Sequence, residues 1–168
     1  MSYQGMNTIN HTARELAERL EQGAAALATF VRTLSVDEWQ TPVPGDTRRI
    51  GTVVHHVASV YPVEIQLALT VAAGSPVRGM TMDDVHAMNA KHAKEWRQVT
   101  PDEALTLLER NSADAAAAIR TLSDAQLATA SVVSLYDDAP VTCQFVLEDH
   151  AVRHSYHHLA VIRRTLKR

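Results

Sequence analysis

The sequence has little of what secreted or membrane proteins depend on. Cys143 is its single cysteine, so no disulfide can form within the chain, and a reducing compartment is indicated. No run of about 18 apolar residues occurs, which excludes a membrane-spanning helix. The first residues, MSYQGMNTINHTARE, contain no apolar stretch typical of a signal peptide. We therefore expect a cytoplasmic protein with no membrane partner.

Runs of basic residues are also missing. The net charge is −3 with histidine neutral, whereas nucleic-acid-binding proteins usually carry a basic patch. The basic residues near the C-terminus fall in the last turn of a predicted helix, where they complement the helix dipole. These residues are Arg163, Arg164, Lys167 and Arg168. The charge pattern therefore disfavours a nucleic-acid partner.

Glycine and proline are scarce, at six each, and cluster in a few places. Several of the stretches between them open with a capping box, in which Ser or Thr is followed three residues later by Glu or Gln. The predicted helices cover about 12–33, 47–72, 81–98, 100–122 and 143–166. We expect Pro62 to kink or break the second of these helices, because proline removes a backbone donor. β-Branched residues within 128–142 favour a long loop or a small hairpin.

These elements predict an all-α fold. The chain of 168 residues has the length of one ordinary domain, which we assign to 1–168. Four long helices with long connecting loops are typical of a four-helix bundle.

Histidines carry the strongest chemical signal. The chain has nine, and four of them lie between positions 150 and 158. His154 and His158 share one helical stripe with Leu147, Ala151 and Ile162, and this stripe must face the core of the bundle. Two imidazoles one turn apart on such a stripe can bind the same metal ion.

The same helical phase predicts which of the other histidines face the core. His157 falls off the stripe and is predicted at the surface, whereas His150 borders it as a third ligand or a partner of a ligand. In the second helix, His56 is preferred over His55 because it shares a stripe with apolar residues. That stripe contains Val53, Val60, Val63 and Leu67.

Two interpretations of these histidines stay open at this point. They could be core residues satisfied by hydrogen bonds, or they could be ligands of one divalent ion. Burying three imidazoles without partners would cost about 1–3 kcal/mol for each lost hydrogen bond, and one ion would satisfy all three. Glu64, Glu148 and Asp149 are candidates to orient a ligand or act as a base, although solvated carboxylates are the ordinary case. Cys143 is interpreted as a buried structural residue.

Two segments carry a family resemblance. Ile50-Gly-Thr-Val-Val-His-His-Val-Ala-Ser59 resembles the second helix of the DinB/YfiT-like superfamily, and Arg153-His-Ser-Tyr-His-His-Leu-Ala-Val-Ile162 resembles its last-helix His-x3-His motif. Matched residue by residue, the resemblance implies the metal ligands His56, His154 and His158. The sequence departs from the family after the last histidine, where relatives carry Arg-Gly-Gln and this chain continues Leu159-Ala-Val161.

The resemblance implies a four-helix bundle, often a homodimer, with a three-histidine site for Zn, Ni or Fe. It also implies a metal-dependent enzyme of the thiol transferase or hydrolase type, acting on a small-molecule substrate such as a low-molecular-weight thiol. The alternative is a non-catalytic metal-binding or interaction bundle with a structural or sensing role. A cleft of at least about 300 Å³ opening onto the ion would favour the enzyme, and a sealed site would favour the alternative.

Overall fold

Helices make up most of the structure, a computed structural model that describes residues 11–168. The N-terminal segment for which no signal peptide is predicted lies mainly outside this range. The helices are α1 His11–Val31, α2 Val36–Trp39, α3 Ile50–Ala72, α4 Met82–Glu95, α5 Pro101–Arg120, α6 Asp124–Ala128, α7 Cys143–Val146 and α8 Arg153–Leu166. Within residues 11–168, no helix combines the length and apolar character needed to cross a membrane.

Four helical rods form the bundle, which confirms the predicted all-α four-helix fold. The rods are α1, α3, α5 and the final segment from α7 to α8. α3 and α1 both pack against α5, and the final segment packs against α1 and α3. Their apolar faces form one continuous core, with fully buried side chains such as Leu16, Leu27, Ile119 and Ile162. The final segment thus lies beside α3, and the histidine-bearing parts of the chain become neighbours.

The short-range capping signals in the sequence are confirmed at four helix starts. Ser35, Thr81, Thr100 and Ser123 each accept a hydrogen bond from the backbone three residues later and receive the reciprocal side-chain bond. The start of α3 was predicted wrongly. The helix begins at Ile50 instead of about residue 47, and its N-cap Arg49 makes no side-chain cap.

Pro62 lies inside a continuous α3, so of the two predicted outcomes, a kink or a break, the break does not occur. The ring removes the backbone donor that would have reached the carbonyl of Ala58. The side chain of Asn111, on α5, replaces that donor with a 2.8 Å hydrogen bond from Nδ2 to the Ala58 oxygen. Val63 is 49% exposed, so the predicted apolar stripe fails at this position.

A wide helical turn interrupts the last rod. Leu147–Val152 is π-helical and joins α7 to α8 without a break. A π turn closes its hydrogen bonds over one more residue than an α turn. The predicted stripe nevertheless survives across it, because Leu147, Ala151 and Ile162 are all buried.

A hairpin and an outer helix complete the fold. β1 Ala130–Val133 pairs antiparallel with β2 Ala139–Thr142, with Ala130 opposite Thr142, which matches the hairpin alternative for this region. A 3-10 turn at Ser134–Tyr136 lies between the strands. α4 lies outside the bundle, and none of its described residues is buried.

Candidate metal centre

Three histidines from α3 and α8 converge at one point of the bundle. One nitrogen each from His56, His154 and His158 lies within 4.8 Å of the other two. The ring centroids are 5.2 Å apart for His56 and His154, 5.6 Å for His56 and His158, and 4.8 Å for His154 and His158. We call this group the three-histidine cluster. It is the set that helical phase and the family resemblance both selected.

A buried hydrogen bond fixes the two helices that carry the cluster. The Tyr61 hydroxyl of α3 and the Ser155 hydroxyl of α8 are 2.5 Å apart, and both residues are fully buried. Burial raises the pKa of Tyr61 well above its usual range, so the phenol stays protonated and able to donate. The bond sets the spacing of α3 and α8 one turn from His56.

His56 and His158 are neutral at physiological pH. Burial, followed by the charges of His154 and Arg48, lowers the pKa of His56 to about 3. Burial and the charges of His154 and His56 lower the pKa of His158 to about 2. Neutral imidazole is the form that offers a lone pair to a metal ion. These two side chains therefore pay no deprotonation cost on binding an ion at pH 7.

Glu64 is the carboxylate partner of the cluster. It lies two turns after His56 on α3, is 8% exposed, and one of its oxygens bonds to His154 Nδ1. Its second oxygen, Oε2, is buried without a hydrogen-bond partner among residues 11–168. A carboxylate that accepts the Nδ1 proton leaves Nε2 as the free lone pair of His154, an arrangement common among metal-binding histidines.

The remaining candidates from the sequence lie elsewhere. Asp149 and His150 both bond to the Tyr136 hydroxyl, at 2.8 and 2.7 Å, and take no part in the cluster. Glu148 forms an exposed ion pair with Arg19. His157 is exposed, as predicted.

Cys143 is buried and free of any disulfide, and burial raises the pKa of its thiol to about 11. The thiol therefore stays protonated at neutral pH, and the prediction of a structural cysteine agrees with this environment.

His55 belongs to a second group that sequence reasoning missed. Its Nδ1 lies 2.8 Å from Nε2 of His92 on α4, and its ring stacks on Trp96 with centroids 4.0 Å apart. His92 also meets the ring of His56 edge-on. Trp96 is 38% exposed. No local pattern marks His92, because its partner is 37 positions away.

An open cleft borders this second group. Its volume is about 620 Å³, and it lies between α3, the end of α4 and α5. Its walls include His55, Ser59, Trp96, Glu103 and Arg110, but not the three clustered histidines. The cluster has its own access to solvent, since His154 and His158 are only partly buried.

The donor set fits one divalent ion. Three nitrogen ligands are the protein contribution found in catalytic zinc sites, where a fourth position stays open. Nitrogens spread over at most 4.8 Å would need only small ring movements to reach bonding distance from a shared centre. The Glu64 carboxylate supplies the outer partner that such ligands normally have.

Comparisons with known proteins agree with this architecture. The sequence profile of the DinB superfamily matches residues 13–162. The structure of YfiT from Bacillus subtilis, described as a probable metal-dependent hydrolase with an unusual four-helix bundle topology, aligns with a TM-score of 0.75 and 23% sequence identity. The alignment covers 99% of this chain and 93% of YfiT, which shows a shared fold. No curated protein matches the chain.

Proposed function

Because this chain belongs to the DinB superfamily, we propose that it is a metal-dependent enzyme whose divalent ion is held by His56, His154 and His158. The observation that carries the proposal is the convergence of three imidazoles, from two helices, at a partly exposed point. The description of YfiT as a probable metal-dependent hydrolase supports it. Zn, Ni and Fe all accept imidazole ligands and are the candidate ions.

Each residue has a defined task in this proposal. Glu64 accepts the Nδ1 proton of His154 and fixes that ring, so that Nε2 faces the ion. Burial keeps His56 and His158 neutral and ready to bind. A divalent ion bound there supplies Lewis acidity and an open position for a substrate atom. Arg48 adds positive potential at the same place.

We propose that the reaction is either hydrolysis of a small-molecule substrate or transfer of a low-molecular-weight thiol. Both reactions need a nucleophile generated at neutral pH, which an open metal position provides. We further propose that the protein works in the cytoplasm as a homodimer. Met82, Met88 and Trp96 are exposed on or next to α4 and offer an apolar surface for the pairing.

Metal content tests the ligand assignment directly. The purified protein should contain about one divalent ion per chain by elemental mass spectrometry, and His158→Ala should lose most of it, because only two ligands remain. His157→Ala is the matched control, since this neighbouring histidine is exposed and outside the cluster. Unchanged stoichiometry in His158→Ala would rule out the assignment.

A non-catalytic role is the second candidate, and one observation favours it. The walls of the large cleft do not include the three histidines, so a substrate in that cleft would not touch the ion directly. In this alternative the metal raises thermal stability but the loaded protein turns over neither ester nor thiol-transfer substrates. Turnover by the wild type that is lost in His158→Ala would decide for the enzyme.

A further inference from the structure

Arg48 lies on a loop that the backbone holds firmly. The loop joins α2 to α3, and its two sides are linked by Val43 N to Arg48 O and Ile50 N to Thr41 O, both at 3.0 Å. A tight turn between them contains Gly45 at a φ of +75°. The backbone of Arg48 is therefore fixed before its side chain makes any contact.

A neighbouring carboxylate orients the Arg48 guanidinium. Nε lies 2.9 and 3.0 Å from the two Asp46 oxygens, and Nη2 lies 2.7 Å from Oδ2. Asp46 is itself fixed, because its Oδ1 accepts the Arg48 backbone N–H at 2.9 Å. The two side chains are 14% and 25% exposed, so this pair is more sheltered than the other ion pairs with arginine in residues 11–168.

One donor of this fixed guanidinium is unused. Nη1 is buried and has no hydrogen-bond partner among residues 11–168. Asp46 occupies the Nε and Nη2 donors, so Nη1 is the end of the group that remains for another acceptor. A buried cationic donor without an acceptor is costly, so we expect an acceptor from outside the chain to meet it.

The unused donor lies at the end of the helix that carries His56. Arg48 stands two residues before α3 begins at Ile50, and His56 follows six residues later, about 9 Å along the helix axis. The positive charge of Arg48 contributes to the lowered pKa of His56 and of His158, and it acts in the same way on His92. In return, His158 contributes to the lowered pKa of Asp46. The Arg48–Asp46 pair is therefore within electrostatic reach of the cluster.

We propose that Arg48 is the substrate-binding residue of this site and that the substrate carries a carboxylate, which Arg48 Nη1 receives. The inference rests on the proposed function, since it places the reacting part of that substrate at the three-histidine cluster. Guanidinium donors match the planar geometry of a carboxylate. Asp46 already balances the charge of Arg48 and would repel a dianion such as phosphate, so a monoanion is favoured.

Titration with a simple anion tests the proposal without knowledge of the substrate. Acetate is titrated into the metal-free full-length protein while the Arg48 Nε–Hε NMR signal is followed, and into the Co(II)-loaded protein while the visible spectrum is followed. The variants are Arg48→Gln, Arg48→Lys and the matched control Arg49→Gln. Arg49 bonds to Gln40 instead of Asp46.

We expect Arg48→Gln to weaken acetate binding to the Co(II)-loaded protein about 10-fold to 100-fold, the usual range for a charge-assisted hydrogen bond. Arg48→Lys keeps the charge but loses the planar donors and should fall between Arg48→Gln and the wild type, whereas Arg49→Gln should stay within about twofold. In the metal-free wild type, acetate should shift the Arg48 signal.

Three results would overturn the proposal: equal acetate affinity in Arg48→Gln and the wild type, no Arg48 shift, or phosphate binding more tightly than acetate. Failure of the proposed function is distinguishable from these. A protein that binds no Co(II) refutes the metal site, and the metal-free titration still decides the role of Arg48.

Discussion

His55 and His56 are adjacent on α3, equally buried, and engaged in different chemistry. They are 3% and 7% exposed, and burial lowers the pKa of both. His56 meets the two histidines of α8, whereas His55 meets His92 and stacks on Trp96. A shift of one residue along α3 changes the direction of the side chain. His56 therefore joins the three-histidine cluster, whereas His55 forms a hydrogen-bonded pair with His92 on the wall of the cleft.

The comparison shows that burial and pKa do not identify a ligand. Both histidines are neutral at pH 7 and could offer a lone pair. What differs is where the ring nitrogens lie, because Nδ1 of His55 is engaged with His92, whereas a nitrogen of His56 faces other histidine nitrogens. Convergence is the property that separates the two sites.

The largest expected effect tests directly whether His56 and His55 differ in metal binding. Loss of a residue that only hydrogen-bonds to a metal ligand weakens metal binding about 10-fold to 100-fold. His56→Ala removes a ligand itself, so it should weaken zinc binding by more than that. His55→Ala should stay within about threefold, since His55 lies outside the cluster. Competition with a chromophoric chelator measures both constants. Equal losses in the two variants would show that the sites are not distinct.

Acid sensitivity sharpens the comparison in the metal-free protein. The pKa values of His56 and His158 fall to about 3 and about 2, below the unfolded value of 6.5. The unfolded state therefore binds more protons below pH 6.5, and stability falls as the pH drops. Between pH 7 and 5, each histidine should cost about 2 kcal/mol of unfolding free energy.

Urea denaturation in EDTA across this pH range measures the effect. In His158→Leu, the slope of the unfolding free energy against pH should correspond to about one proton fewer taken up on unfolding. A curve for His158→Leu parallel to the wild type would contradict the assigned pKa shift.

The smallest effect concerns the helix that carries both histidines. Asn111→Leu should lower the unfolding free energy by about 1–3 kcal/mol, because the Ala58 carbonyl loses its partner. In a Pro62→Ala background the same substitution should cost less, since residue 62 then supplies a backbone donor. A double-mutant cycle from urea denaturation gives the difference. Additive effects would show that Asn111 does not compensate for Pro62.

Four helix starts and the shared direction of His154 and His158 could be predicted from sequence because their causes are local. A capping box such as Ser35 to Glu38 spans four residues and needs no tertiary information. His154 and His158 lie one turn apart on a stripe that ends at the buried Ile162, so their shared direction follows from helical geometry.

The features that failed depend on contacts between distant segments. The Ala58 carbonyl that Pro62 leaves without its backbone donor is bonded by Asn111, 49 positions away, and no local pattern predicts that contact. Glu64 could be nominated but not assigned, because its bond to His154 joins α3 to α8. Arg48 and His92 carry no pattern, since loop closure and the placement of α4 bring them to the site.

The π turn at Leu147–Val152 has a consequence for how this family can vary in length. It contains one residue more than an α-helix needs to connect the same two ends. Removal of one residue there would convert the turn to α-helix while leaving the rotation of α8, and with it His154 and His158, unchanged. A one-residue deletion at this point would therefore change the Tyr136 side of the bundle without moving the three histidines.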